Sequence, residues 1–165
     1  MSTQPITELM DKLCSLHQSL LTLSQEKTEA LKKGNTEELQ AIIVKERKHV
    51  QAIGQLETKR EQLVSEWFAN QGVNGEEQTI TIMLENITSD QERQALQEQF
   101  ERLVIILADL KQQEKLNQEL TQQSLQFIDM SLDMIQPSMK NLNYGRPNKK
   151  QSDSGNRRSV FDSKA

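Results

Sequence analysis

The stretch ITELMDKLCSLHQSLLTLSQEKTEALKK, residues 6–33, decides the fold, because its apolar side chains recur in steps of three and four residues. The repeat consists of Ile6, Leu9, Leu13, Leu16, Leu20 and Leu23, and it continues through Lys27 to Ala30. Side chains with this spacing lie along one side of an α-helix, and such a stripe is stable in water only against another helix. The stretch therefore predicts a long helix, from about Ile6 to Lys33, with coiled-coil-like packing.

A second helix is predicted directly after the first. Gly34 is a typical helix stop, and Asn35 with Glu38 three residues later has the spacing of a capping box. So short a connection folds the second helix back antiparallel on the first, and Gly72 predicts its end near Asn70. Its apolar stripe consists of Leu39, Ile42, Ile43, Val50, Ile53, Leu56, Leu63, Val64 and Trp67. Trp67 and Phe68 are predicted to close the apolar end of a bundle.

The third long block begins after Ser89, which has Glu92 three residues later as a second capping signal. Its stripe consists of Leu96, Phe100, Leu103, Leu107 and Leu110. This helix is predicted to run to Gln136, because Pro137 cannot prolong it. Residues 79–87 alternate like a strand, but a lone strand would have no partner, so a short helix is favoured.

These patterns predict an all-α fold, an elongated antiparallel helical hairpin or bundle of three long segments with coiled-coil-like packing. Apolar residues make up 35% of the chain and aromatic residues 4%, which indicates a narrow core. The predicted division is a helical domain at 1–136 and a basic, flexible tail at 137–165. From Lys140 onward there are seven basic and two acidic residues, whereas the rest of the chain is strongly acidic. An acidic surface should not attract nucleic acid.

No pattern of catalytic or ligand-binding residues emerges. His17 and His49 lack metal-ligand spacing, the glycines form no phosphate loop, and carboxylates are expected on solvated helix faces. We therefore predict no catalytic residues, no metal site, no cofactor and no enzymatic activity. The single cysteine, Cys14, excludes an intramolecular disulfide and is predicted to be a buried or half-buried thiol. With no signal-peptide or membrane-spanning segment, the expected location is the cytoplasm, without membrane insertion.

Polar residues interrupt the third stripe at Glu114, Asn117, Thr121 and Ser124. One interpretation is a solvated helix that extends beyond its shorter partners. The other is a weak seam that leaves the C-terminal segment free to take another helix, since polar seam positions reduce stability but set partner choice. The pattern leaves both open.

The segment from Leu120 to Ile135 carries more apolar residues than one partner helix could cover. It contains two methionines, a residue type that is common at adaptable binding surfaces. The segment could complete the core, form a homodimer seam, or receive an apolar helix from another protein.

Two parts of the chain resemble FlgN-like flagellar export chaperones. Residues 20–35, LLTLSQEKTEALKKGN, followed by Leu39, Ile42 and Glu46, resemble the N-terminal hairpin of that family. Leu110, residues 117–120 (NQEL) and residues 124–128 (SLQFI) resemble its last helix. Residues 161–165, FDSKA, are similar to the ending of family members from Gram-positive bacteria.

The resemblance implies a cytoplasmic chaperone that holds the C-terminal helices of hook-associated proteins, which form the hook–filament junction, before type III flagellar export. It places the substrate-binding region at about Leu116 to Ile135. The predicted partner-binding residues are Leu116, Leu120, Phe127, Ile128, Met130, Met134 and Ile135. The expected partners are the hook-associated proteins and the flagellar export apparatus. Two alternatives are a homodimeric coiled-coil scaffold and a nucleic-acid-associated protein acting through the basic tail.

Overall fold

The computed structural model describes residues 1–73, 75 and 77–143, with side chains up to Ile135. These residues form four helices and no strand, which confirms the all-α prediction. The helices are α1 (Gln4–Lys33), α2 (Thr36–Gln71), α3 (Ile80–Asn86) and α4 (Asp90–Asn143). The chain divides into two compact units, Met1–Leu125 and Gln126–Ala165. The division into 1–136 and a flexible tail stays a prediction, because most of the tail lies outside the described residues.

One predicted boundary was wrong, because α4 continues through Pro137 to Asn143 instead of ending at Gln136. Proline lacks the N–H that would bond the carbonyl four residues earlier. The residues after it keep their own N–H groups, so the backbone can remain helical beyond the proline. The short helix predicted between 79 and 87 is confirmed as α3, and the Thr79 side chain accepts a hydrogen bond from the backbone N–H of Ile82.

The turn between α1 and α2 is built as the capping signals predict. Gly34 adopts a left-handed conformation with φ of 65°, which glycine tolerates because it has no Cβ. Asn35 Oδ1 accepts a hydrogen bond from the Glu38 backbone N–H at 3.1 Å, and Asn35 Nδ2 donates to Glu38 Oε2 at 3.1 Å. The chain therefore reverses within two residues, and α2 packs antiparallel along α1.

Within the first unit, α4 runs parallel to α1. The Thr3 backbone N–H donates to Glu92 Oε1 at 3.3 Å, near the start of both helices. Further along, Cys14 Sγ donates to the Gln99 carbonyl at 3.4 Å. The residue numbers of the partners rise together along both helices, so α1 and α4 are parallel. Helix α1 therefore has α2 as an antiparallel neighbour and α4 as a parallel one.

The larger hydrophobic core lies at the end of the unit away from the α1–α2 turn. Trp67 and Phe68 are each 1% exposed, and their rings meet edge to face at 5.1 Å between centroids, as predicted for an apolar plug. Met83 of α3 is fully buried against the same cluster. The other buried members are Ile6, Met10, Leu13, Cys14, Val64, Ile80, Ile87, Leu96, Leu103 and Ile106.

Two positions assigned to the apolar stripes were wrong, since Val50 is 58% exposed and Leu107 is 42% exposed. On α4 the buried position is Ile106, one residue earlier in the heptad. On α2 the partly buried position is His49, whose Nε2 lies 2.8 Å from Ser19 Oγ of α1. The seam therefore contains polar residues that a search for apolar spacing passes over.

Cys14 is completely buried and its thiol is predicted to be unreactive in the folded protein. Burial raises the pKa of the Cys14 thiol, a shift that Arg102 opposes and Asp11 supports. Because the thiolate is the reactive form, modification requires local opening of the bundle. We expect an aromatic disulfide reagent to react about 100-fold or more slowly with the native protein than with the urea-unfolded chain at pH 8. Similar native and unfolded rates would contradict the burial of Cys14.

Among the described residues, no helix combines the length and the hydropathy that spanning a lipid bilayer would require.

Candidate partner-binding surface

The second unit exposes most of the predicted partner-binding side chains. Phe127 is 72% exposed and Met134 is 74% exposed. Ile128, Met130 and Ile135 are each more than half exposed. The α-helical spacing of residues 126–135 arranges the apolar residues in two neighbouring stripes. One stripe contains Phe127, Met130 and Met134, and the other contains Ile128, Leu132 and Ile135.

The remaining side of this segment is polar. Gln126, Asp129 and Asp133 follow one another at helical spacing and are exposed. The segment is therefore a strongly amphipathic helix whose apolar side is wider than the seam of a two-stranded coiled coil. Large apolar patches that remain uncovered typically mark interaction sites.

The two predicted residues in the first unit have different environments. Leu116 is 41% exposed and lines a shallow hollow together with Leu21 and Gln25 of α1. Leu120 is half-buried. Neither residue is sealed in the main core, but neither protrudes as fully as Phe127.

The polar interruption of the third stripe forms a hydrogen-bonded seam with α1. Asn117 is 2% exposed, and its Nδ2 donates to the Ser24 carbonyl at 2.8 Å and to Ser24 Oγ at 3.0 Å. Thr28 Oγ1 donates to Asn117 Oδ1, and Gln113 donates to Thr28 Oγ1. At Asn117 the solvated-helix interpretation is wrong, whereas Ser124 is exposed. The sequence signal for this seam is the matching of polar positions on two stripes, Ser24 and Thr28 on α1 with Asn117 on α4.

A partly buried ion-pair cluster continues the polar seam across all three long helices. Lys27 Nζ of α1 lies 2.8 Å from Glu46 Oε1 of α2 and 3.2 Å from Glu114 Oε2 of α4. Burial alone would lower the pKa of Lys27, but the attraction of Glu46 and Glu114 outweighs it, so the pKa lies above its usual value. Lys27 therefore stays charged at physiological pH and connects the three helices.

Next to this cluster, a groove of about 860 Å³ opens between the three long helices. The apolar part of its lining comes from Leu31 of α1 and from Leu39 and Ile43 of α2. Lys111 and Lys115 of α4 contribute the basic side. Sequence patterns do not reveal this groove, because it depends on how far α2 and α4 stand apart over α1.

Within residues 1–73, 75 and 77–143, the His, Cys, Asp and Glu side chains form no cluster of three or more that could hold a metal ion. The described residues present two open surfaces to solvent: an exposed apolar helical segment in one unit and a groove in the other.

The sequence is similar to known proteins along most of its length. The sequence profile described as "FlgN protein" matches residues 1–152. A protein of Bacillus subtilis (strain 168) named "Uncharacterized protein YvyG" is 41% identical over 165 residues, which cover 100% of each chain. No solved structure matches the chain. The chain belongs to the FlgN family, a family of flagellar export chaperones and not of enzymes.

Proposed function

We propose that this protein is a cytoplasmic chaperone that binds the C-terminal helical segments of hook-associated proteins, prevents their premature assembly and delivers them to the flagellar type III export apparatus. Membership of the FlgN family supports the general role. The observation that carries the specific proposal is the exposure of the apolar residues between Phe127 and Ile135. Contiguous apolar side chains that stay in contact with water are typical of a surface that a partner covers.

The chemistry of the segment suits an amphipathic helix as the ligand. Phe127, Met130 and Met134 are spaced at three and four residues, as are the anchors of a helix that packs against a second helix. Each large apolar side chain contributes roughly 1.5–3 kcal/mol when it is fully buried. Ordering and association costs reduce the sum, so a few anchors give useful rather than irreversible affinity. A chaperone has to release its cargo, and moderate affinity meets this need.

The polar edge of the segment contributes selectivity. Asp129 and Asp133 lie beside the apolar stripes and are exposed. Charges at the rim of an interface change association rates and reject wrong partners more than they increase affinity. The proposed cargo helix should therefore carry basic or neutral side chains where it faces these two carboxylates.

The test uses the full chain and a peptide that spans the C-terminal helix of a hook-associated protein. We expect Phe127→Asp and Met134→Asp each to weaken binding by about tenfold or more, because a charge replaces an apolar anchor. Isothermal titration calorimetry measures the affinity, and circular dichroism verifies that each variant is folded. Gln126→Asp is the matched control, because it adds the same charge on the polar side of the same helix, and its affinity should stay within about twofold of wild type. If both variants fold and bind as tightly as wild type, the proposed surface is wrong.

A further inference from the structure

The groove in the first unit has a defined charge pattern. Lys111 and Lys115 are four residues apart on α4, so their ammonium groups extend from the same side of the helix. Among the described residues neither lysine forms an ion pair. Glu114 and Lys27 also line the groove, but they form an ion pair with each other at 3.2 Å. The groove therefore combines an apolar lining from Leu31, Leu39 and Ile43 with two lysines that are unpaired in the described part of the chain.

Residues 126–135 carry the complementary pattern. Asp129 and Asp133 are also four residues apart, and neither carboxylate is in an ion pair within the part of the chain that the structure describes. The stripe of Ile128, Leu132 and Ile135 lies directly beside them, with all three side chains at least 50% exposed. A helix with one apolar stripe flanked by two carboxylates fits an apolar groove flanked by two ammonium groups at the same spacing.

We propose that residues 126–135 of one copy of this protein dock in the groove of a second copy. Ile128, Leu132 and Ile135 would cover the apolar lining of the groove, while Asp129 and Asp133 face Lys111 and Lys115. Every copy carries both surfaces, so each of two copies can offer its segment to the groove of the other.

Such a pair would protect the apolar segment when no cargo is present. A second copy and a cargo helix then compete for residues 126–135, and mass action decides which of them is bound. The self-association is independent of the identity of the cargo, whereas the competition rests on the proposed function. The pair should weaken as the salt concentration rises, because screening reduces the attraction between exposed charges.

Full-length variants with reversed charges at the proposed contact test the pairing. Sedimentation equilibrium should show a dimer whose dissociation constant rises by about tenfold or more in Lys111→Glu/Lys115→Glu and in Asp129→Lys/Asp133→Lys. Each double change turns both attractions at each docking site into repulsions. The variant with all four changes should regain affinity, because the charges again oppose each other. Lys45→Glu/Lys48→Glu is the matched control, since it makes the same charge change on exposed residues of α2 that do not line the groove.

Three outcomes would overturn the proposal: a monomer at all concentrations, a dimer that neither double reversal weakens, or a fourfold variant no tighter than the double reversals. Adding the cargo peptide separates this inference from the proposed function. A monomer that binds the peptide refutes self-docking alone, and a dimer sensitive to both reversals that ignores the peptide refutes the cargo proposal alone. A dimer that persists while the peptide is bound contradicts the competition between cargo and second copy.

Discussion

Replacing Trp67 by alanine is expected to lower the free energy of unfolding by about 3–5 kcal/mol, the usual cost of truncating a buried large aromatic side chain. Trp67 is 1% exposed and packs edge to face against Phe68 at 5.1 Å between ring centroids. The cavity cannot collapse easily, because Trp67 lies where α1, α2, α3 and α4 contribute to one cluster. For a chain of this length the melting temperature should fall by roughly 6–20 °C.

Differential scanning calorimetry or urea unfolding of the full chain measures this loss. Phe127→Ala is the matched control, because it also truncates a large aromatic side chain, but one that is 72% exposed. Its effect on the free energy of unfolding should stay within about 0.5 kcal/mol. A Trp67→Ala protein within about 1 kcal/mol of wild type would show that the end of the bundle is not packed around this residue.

The local features of the fold were predictable because they depend on neighbouring residues. The turn at Gly34 and Asn35 depends on a glycine that tolerates a left-handed conformation and on a side chain that caps the next helix. The short helix α3 follows the same logic, since Thr79 caps it and Ile80 and Met83 share its buried face. In each case the deciding contacts span no more than four residues.

It was harder to predict which residues of each helix face the neighbouring helix, because buried positions on these helices are not all apolar. On α2, Glu46 and His49 occupy seam positions and have partners on α1, Lys27 and Ser19. A rule that follows apolar residues passes over such positions and selects Val50, which is exposed. Whether a polar residue is buried depends on whether it has a partner on another helix. The spacing along one helix does not show this, because it depends on the three-dimensional packing.

The candidate site likewise has one part that the sequence predicts and one part that it does not. The excess of apolar residues between Phe127 and Ile135 is visible in the sequence, and their exposure in the structure agrees with an unsatisfied surface. Their role in binding a partner stays a prediction. The groove beside Lys111 and Lys115 was not predictable, because it arises from the separation of α2 and α4.

Asn117→Ala is expected to lower the free energy of unfolding by about 2–3 kcal/mol, although asparagine contributes no apolar packing. The change removes the donor to Ser24 and the acceptor for Thr28 in a seam where Asn117 is 2% exposed. Losing the bonds of the amide and leaving a polar cavity costs about 1–3 kcal/mol. Thr28 Oγ1 still has the Ser24 carbonyl as an acceptor at 3.1 Å, so the cost falls mainly on the lost amide bonds and the cavity.

A triple variant, Ser24→Ala/Thr28→Val/Asn117→Leu, separates this cost from lost volume. It removes both sides of the hydrogen bonds of Asn117 and fills the seam with apolar groups. Gln113 and Glu114 lose their bonds to Thr28 and Ser24, but both are at least partly exposed to solvent. The stability should therefore return to about that of wild type or exceed it. Urea unfolding monitored by circular dichroism measures both variants.

If the alanine variant is as stable as wild type, the buried amide does not hold α1 and α4 together. If the triple variant is no more stable than Asn117→Ala, the loss comes from packing geometry and not from unpaired polar groups. The predicted order, wild type close to the triple variant and both well above Asn117→Ala, would show that the polar seam adds no stability over an apolar one.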